Sequence, residues 1–273
     1  IGNYAFSECK NLVNITIPNS VTTIGENVFM NCDGLTSIPR GENLHEIGDG
    51  QYCGCDGLVD VTIPDNITSI GESAFADCSN LEKMIIPDNV DSIGCSIFSR
   101  CYSLKELTLP FAATEREYAE TDGISTDGFG QVQDMFNADG WDFGSGLSDE
   151  YTIERIIITG GKTIPDYTFT GIYSIKEIIL KGDTITEIGA YSFYGCENLT
   201  NIEISDSVAT MGEYAFFNTG FSELPSGKNL RNIGNYAFSE CKNLVNPTIP
   251  STYTHIGNYA FSECKNLVNI TIP

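Results

Sequence analysis

The sequence predicts an α/β repeat protein: a right-handed solenoid of about ten coils of about 23 residues, with short parallel strands and short helical or 3-10 turns. Three observations support this prediction. The segment IGNYAFSECKNLVNITIP occupies residues 1–18 and recurs unchanged at residues 256–273. It recurs at 233–250 with Pro247 in place of an isoleucine. Diverged copies, aligned on an Ile-Gly pair, fill most of the chain between these segments.

Each repeat contains a turn half and a strand half. In residues 70–78, apolar side chains recur at i, i+4, i+5 and i+8, which favours one or two turns of helix with one apolar face. Residues 81–86 carry apolar side chains at i, i+3 and i+5, and the last two alternate as in a strand. Pro87 ends the strand because proline has no amide hydrogen for the next ladder bond.

Ten cysteines are present, and eight of them fall at one position of the repeat. A residue that recurs once per coil on an apolar face predicts a ladder of small buried side chains rather than disulfides. Cys53 and Cys95 lie off this position, without the clustered ligands that a metal site requires. The eight are Cys9, Cys32, Cys55, Cys78, Cys101, Cys196, Cys241 and Cys264.

The L-x-x-L-x-L core resembles a leucine-rich repeat. The full unit, with its I-G-x-x-A-F-x-x-C half and its I-x-I-P half, resembles the BspA-like (treponemal-type) leucine-rich repeat family over about four fifths of the chain. The resemblance implies a leucine-rich-repeat solenoid of a secreted or surface-attached protein from a host-associated microbe. It also implies an adhesin-like role without enzymatic activity, at an extracellular or cell-surface location, with a protein or glycan ligand.

Residues 111–150 fit no coil and carry ten acidic residues against one basic residue. We interpret them as an insertion in a single solenoid over residues 1–273, between the coils of 1–110 and those of 151–273. Either Phe129 or Phe136 is expected to turn inward and supply the core aromatic residue of the coil that the insertion interrupts. Charges that alternate in sign predict that strand 153–158 stacks directly on strand 104–109. The two alternating sets are Glu82, Lys105, Glu154, Lys176 and Lys83, Glu106, Arg155, Glu177.

The composition argues against several classes of function. A net charge of −23 makes nucleic acids and anionic membrane surfaces poor partners. No apolar run reaches the ~18 residues that a membrane-spanning helix needs. No catalytic motif, metal site or cofactor motif is present, and His45 and His255 lie in distant coils. A carbohydrate-active or calcium-dependent enzyme built on the insertion is the least favoured alternative.

Three surfaces are candidates for binding a partner, and each also has a structural interpretation. The sheet face could bind through its charges, or these could only pair between strands. A column of tyrosines could hold a ligand, or only stabilise the array by ring stacking. The insertion could form a recognition tip, or only its own small core. The residues are Lys83, Lys105, Glu106, Arg155 and Lys176 on the sheet; Tyr167, Tyr191, Tyr214, Tyr236 and Tyr259 in the column; and Tyr118, Trp141 and Phe143 in the insertion.

A structural or self-assembling array is the alternative to a binding protein. Both terminal segments carry the same repeat chemistry, so copies could stack head to tail in a contact that does not close.

Overall fold

A computed structural model describes residues 1–39, 41–110, 132, 135–136 and 150–272. These residues belong to two compact units. Unit 1 contains the coils up to Pro110, together with residues 135–136 and 150–153. Unit 2 contains Val132 and the coils from Glu154 onward. The single solenoid over residues 1–273 stays a prediction.

Unit 1 contains two parallel sheets. Its strands are β1 (Glu46–Ile47), β2 (Asp60–Thr62), β3 (Ser69–Ile70), β4 (Lys83–Ile85), β5 (Ser92–Ile93) and β6 (Glu106–Leu109). One sheet, in the order β1-β3-β5, is formed at the Ile-Gly positions, with Ile47 opposite Ile70. The other, in the order β2-β4-β6, is formed by the strand halves of the repeats. Both keep the register that the repeat predicts, because equivalent residues of successive coils pair.

Unit 2 is built in the same way. Its strands are β7 (Arg155–Ile158), β8 (Thr163–Ile164), β9 (Glu177–Leu180), β10 (Glu187–Ile188), β11 (Asn201–Glu203), β12 (Thr210–Met211), β13 (Asn232–Ile233) and β14 (His255–Ile256). The Ile-Gly positions form a parallel sheet in the order β8-β10-β12-β13-β14, and the strand halves form β7-β9-β11. The stacking of strand 153–158 on strand 104–109 stays a prediction.

The prediction of helical turns is wrong. The turn halves of the described coils contain no helix; among the described residues only Val132 is helical, and it lies outside them. Ser73 and Asp77 have φ angles of 53° and 60°, so every fourth residue of the turn half is left-handed. The Phe75 amide donates to the Ile97 carbonyl of the next coil (3.1 Å) rather than four residues back. The apolar spacing that suggested a helix therefore arises from successive tight turns.

The number of coils is also lower than predicted. Eight Ile-Gly positions form strands, three in unit 1 and five in unit 2, so the described residues form about eight turns rather than ten. In most coils the glycine amide extends the ladder, as Gly71 does by donating to Ile47 (2.7 Å). The Gly48 amide donates instead to the Gln51 side chain (2.7 Å), and strand pairing with the coil of Ile24 is interrupted there.

Aromatic rings at the Phe position of the repeat form the centre of the core. Successive rings stack with centroids 5.1 to 5.7 Å apart and planes within 14° of parallel. Inward-facing isoleucines and leucines of the strands, such as Ile70 and Leu107, are buried as well. The stacked rings are Phe6, Phe29, Tyr52 and Phe75 in unit 1, and Phe169, Phe193, Phe216, Phe238 and Phe261 in unit 2.

The prediction that Phe129 or Phe136 turns inward is confirmed for Phe136, while Phe129 lies outside the described residues. Phe136 is buried, with its ring 5.6 Å from that of Phe98. The preceding residue, Met135, accepts the Phe98 amide hydrogen (2.6 Å), as Ile97 accepts that of Phe75 in the coil before. Residues 135–136 therefore supply the turn half of the coil that follows the coil of Phe98.

Seven of the eight repeat cysteines lie inside the coils with the thiol directed at a backbone carbonyl. Each donates to the carbonyl of the core aromatic one coil earlier, at 3.0 to 3.3 Å. Burial raises the pKa of Cys196 and of Cys241 to about 12. Cys9 is exposed.

We expect iodoacetamide at pH 8 to alkylate Cys9 but not Cys196 or Cys241 in the folded protein. Alkylation requires a thiolate, and burial holds the thiols of Cys196 and Cys241 in the protonated form. Peptide mapping by mass spectrometry would measure this, with urea-unfolded protein as the control in which all three are modified. Equal labelling of Cys9 and Cys196 under native conditions would contradict the buried positions.

Candidate functional site

The predicted charges on the sheet face form ion pairs between neighbouring strands within each unit. Lys83 meets Glu106 (2.6 Å) and Lys105 meets Glu82 (3.1 Å) in unit 1. In unit 2, Lys176 meets Glu154 and Arg155 meets Glu177, both at 2.7 Å. The alternation predicted from the sequence is therefore present inside each unit.

These ion pairs favour the structural interpretation of the sheet charges. Cross-strand pairs of opposite charge contribute roughly 0.2–1 kcal/mol each. A ligand that used Lys83 or Lys176 would first have to displace a carboxylate at 2.6 or 2.7 Å. The sheet face is therefore a weaker candidate than the tyrosines.

The predicted column of tyrosines is present in unit 2 as one continuous stack. Adjacent rings have centroids 4.6 to 4.8 Å apart and planes inclined by 2° to 14°. This spacing equals the distance between neighbouring strands, since each coil contributes one ring. Four rings are half-buried, and Tyr259 is 65% exposed. The tyrosine column consists of Tyr167, Tyr191, Tyr214, Tyr236 and Tyr259.

Every residue of the tyrosine column has a left-handed backbone, with φ between 54° and 61°. The turn half imposes this conformation. The Tyr214 amide donates to Asn235 of the next coil (2.9 Å), while the Tyr214 carbonyl accepts from the Phe217 amide (3.2 Å). Residues other than Gly, Asn and Asp rarely adopt such angles, because the Cβ atom crowds the backbone. Tyrosine is therefore an unfavourable choice for the backbone at this position.

Unit 1 shows that the fold does not need tyrosine there. The equivalent residues have φ between 53° and 58°, and only Tyr4 among them is aromatic. The others are Asn27, Gly50, Ser73 and Ser96. The same turn thus forms with small residues, two of which suit a left-handed backbone.

A second, shorter stack lies beside the column and was not predicted from the sequence. Tyr194 and Phe217 stack at 4.6 Å with planes 4° apart. Tyr194 lies 5.7 Å from Tyr191, and Phe217 lies 5.6 Å from Tyr214, with planes inclined by 41° and 55°. The available signal was that these rings follow the core phenylalanine in two successive coils, where the next two coils have serine. We call Tyr191, Tyr194, Tyr214 and Phe217 together the aromatic cluster.

Two hydroxyl groups of the tyrosine column, those of Tyr191 and Tyr236, have a raised pKa. Loss of hydration raises the pKa of Tyr191, and the neighbouring Tyr167 hydroxyl and the Glu213 carboxylate raise it further. The pKa of Tyr236 is raised by the same causes, with Tyr214 and Tyr259 as the neighbouring hydroxyls. At neutral pH these groups can therefore donate hydrogen bonds to a ligand.

The predicted insertion residues Tyr118, Trp141 and Phe143 lie outside the described residues. In the part of the chain that is described, no three His, Cys, Asp or Glu side chains are grouped as metal ligands. Nor does that part contain a helix with the length and apolarity to cross a membrane.

Comparison with known proteins identifies the repeat. The BspA type leucine rich repeat region matches residues 1–119 and 162–273 in six copies. No curated protein sequence matches the chain.

Solved structures of bacterial repeat proteins are similar to this chain. A leucine-rich repeat protein from Bacteroides ovatus is 25% identical with a TM-score of 0.50, over 99% of this chain and 57% of its own length. A leucine rich cell surface protein from Faecalibacterium prausnitzii is 25% identical with a TM-score of 0.42, over 99% of this chain and 82% of its own. A leucine rich repeat protein from T. pallidum is 19% identical with a TM-score of 0.35, over 85% and 77%.

The family match covers well over half of the residues and includes every described strand except β7. The stacked parallel strands have the architecture of the B. ovatus protein. The chain belongs to the BspA-type leucine-rich repeat family.

Proposed function

We propose that this protein is a non-enzymatic, extracellular or cell-surface binding module that holds a partner macromolecule at the tyrosine column of unit 2. Membership of the BspA-type family supports an adhesin-like role and a surface location. The observation that carries the proposal is the choice of tyrosine at five left-handed positions where unit 1 mostly has Asn, Gly or Ser.

Ring stacking alone does not account for that choice. A left-handed backbone costs a residue such as tyrosine roughly 1–2 kcal/mol. A stacked aromatic pair returns roughly 0.5–1.5 kcal/mol. These two contributions nearly cancel, so ring stacking alone gives a coil with tyrosine little advantage over a coil with asparagine. The half-exposed rings are better explained by contact with a partner, since aromatic side chains contribute most to binding at protein surfaces.

The test replaces Tyr191, Tyr214 and Tyr236 together with asparagine, the residue that unit 1 uses at position 27. We expect the variant to fold, because asparagine tolerates the left-handed angle, and to lose binding on an array of extracellular-matrix proteins and glycans. Urea unfolding followed by circular dichroism would show whether stability is retained. Tyr173→Ser is the matched control, because Tyr173 is exposed and lies outside the column.

Unchanged binding together with a large loss of stability would contradict the proposal and leave the column a structural element. The insertion can be tested alongside. Phe136 belongs to the core, so removing residues 111–150 would damage unit 1. The double substitution Trp141→Ala and Phe143→Ala is the better probe. Loss of binding in that variant alone would assign the site to the insertion.

A further inference from the structure

The tyrosine column presents ring edges and hydroxyl groups rather than ring faces. Both faces of Tyr191, Tyr214 and Tyr236 are covered by neighbouring rings at 4.6 to 4.8 Å. Sugars that stack on aromatic residues place their C–H groups against the face, where the ring quadrupole is negative. The interior of the column therefore lacks the surface that such a glycan needs.

The column is also too narrow for a globular partner. Five rings span four intervals of 4.6 to 4.8 Å, or about 19 Å. A stripe of that length and one or two rings wide offers on the order of 200–300 Å², whereas a stable protein interface buries about 800 Å² per partner. A linear segment that lies along the column fits this shape better.

A polyproline II segment matches the column in its repeat. Such a segment has three residues per turn and rises 3.1 Å per residue, so one turn is about 9.3 Å long. Two ring intervals of the column span about 9.4 Å, so successive turns meet equivalent rings. The backbone of a polyproline II segment makes no internal hydrogen bonds, and its carbonyls can accept from the tyrosine hydroxyls.

The aromatic cluster and the nearby charges complete the match. The aromatic surface is wider at the aromatic cluster than elsewhere along the column. There the inclined rings of Tyr194 and Tyr214 give proline rings an apolar contact, as in domains that bind proline-rich segments. Exposed carboxylates of Asp166 and Glu213 directly precede two column residues and favour a basic ligand. Resting on the function proposed above, we propose that the tyrosine column and the aromatic cluster bind a basic, proline-rich segment in the polyproline II conformation.

The experiment measures binding of the full chain, by calorimetry, to a dodecapeptide of four Pro-Pro-Arg repeats. The comparison peptide has four Gly-Ser-Arg repeats, with the same length and charge but no preference for polyproline II. We expect saturable binding of the first peptide only. Two double variants, Tyr191→Asn with Tyr214→Asn and Tyr194→Ser with Phe217→Ser, should each weaken it at least about tenfold. Tyr173→Ser should leave it unchanged.

The inference would be overturned by absent binding of the proline peptide, by equal binding of both peptides, or by unchanged affinity in the two double variants. Saturation by cellohexaose in place of the proline peptide would show that the ligand is a glycan. The substitutions keep the fold testable, because asparagine and serine occupy the equivalent positions at Asn27 and Ser239. If array binding depends on Tyr191 and Tyr214 while the proline peptide fails to bind, the ligand class is wrong and the proposed function stands.

Discussion

Replacing Phe216 with alanine should lower the free energy of unfolding by about 3–5 kcal/mol. Phe216 is fully buried, and its ring lies between Phe193 (5.1 Å) and Phe238 (5.6 Å), with Phe221 edge-on at 5.4 Å. The cavity cannot close by bringing the coils together, because hydrogen bonds fix their spacing. Phe216 itself donates to Ala237 (2.9 Å). We therefore expect a loss near the upper end of this range.

Urea unfolding followed by circular dichroism would measure the loss, with Phe261→Ala as the matched control. Phe261 occupies the same repeat position but is only half-buried and stacks on one ring, Phe238, at 5.7 Å. Its substitution should cost about 1–2 kcal/mol. Equal losses in the two variants would mean that the stacked rings do not act as a continuous core.

The sequence predicts the core of each coil because burial recurs at fixed positions. Strand register, the cross-strand charges and the inward-turned Phe136 all follow from placing equivalent residues of successive coils side by side. A residue such as Leu107 pairs with Met84 for this reason alone. Periodicity thus determines which side chains meet within a unit, independently of the backbone conformation between them.

Backbone conformation is not determined by that periodicity. The apolar spacing of residues 70–78 suits a helix as well as successive turns, and the left-handed angles of Ser73 and Asp77 decide between them. Tyrosine is not a residue type that indicates a left-handed backbone, so the unfavourable φ angle of Tyr214 could not be predicted from the sequence. The contact of Tyr194 with Tyr191 also depends on the turn, which brings residues three apart together at 5.7 Å.

The protein should unfold steeply as the pH rises above about 9, owing to its buried thiols. Burial raises the pKa of Cys55, Cys101, Cys196 and Cys241 to about 12, from an ordinary value of 9.0. Between these values the unfolded chain loses thiol protons that the folded chain retains, so unfolding releases protons and becomes more favourable as the pH rises. The stabilisation is complete below pH 9 and is lost as the pH approaches 12.

Each such thiol contributes a slope of about 1.4 kcal/mol per pH unit, so these four together contribute about 5–6 kcal/mol per pH unit. Because a typical domain is stable by only about 5–15 kcal/mol, we expect unfolding within one to three pH units above 9. Circular dichroism from pH 8 to 12 with a reductant present would measure this unfolding.

The matched variant replaces Cys196 and Cys241 with threonine. The chain itself has threonine at the equivalent position 219, where the Thr219 hydroxyl donates to the Phe216 carbonyl at 2.9 Å. That variant should lower the slope by about 3 kcal/mol per pH unit, which is the contribution of the two thiols that it removes. The same slope in both proteins would show that groups other than the thiols cause the alkaline transition.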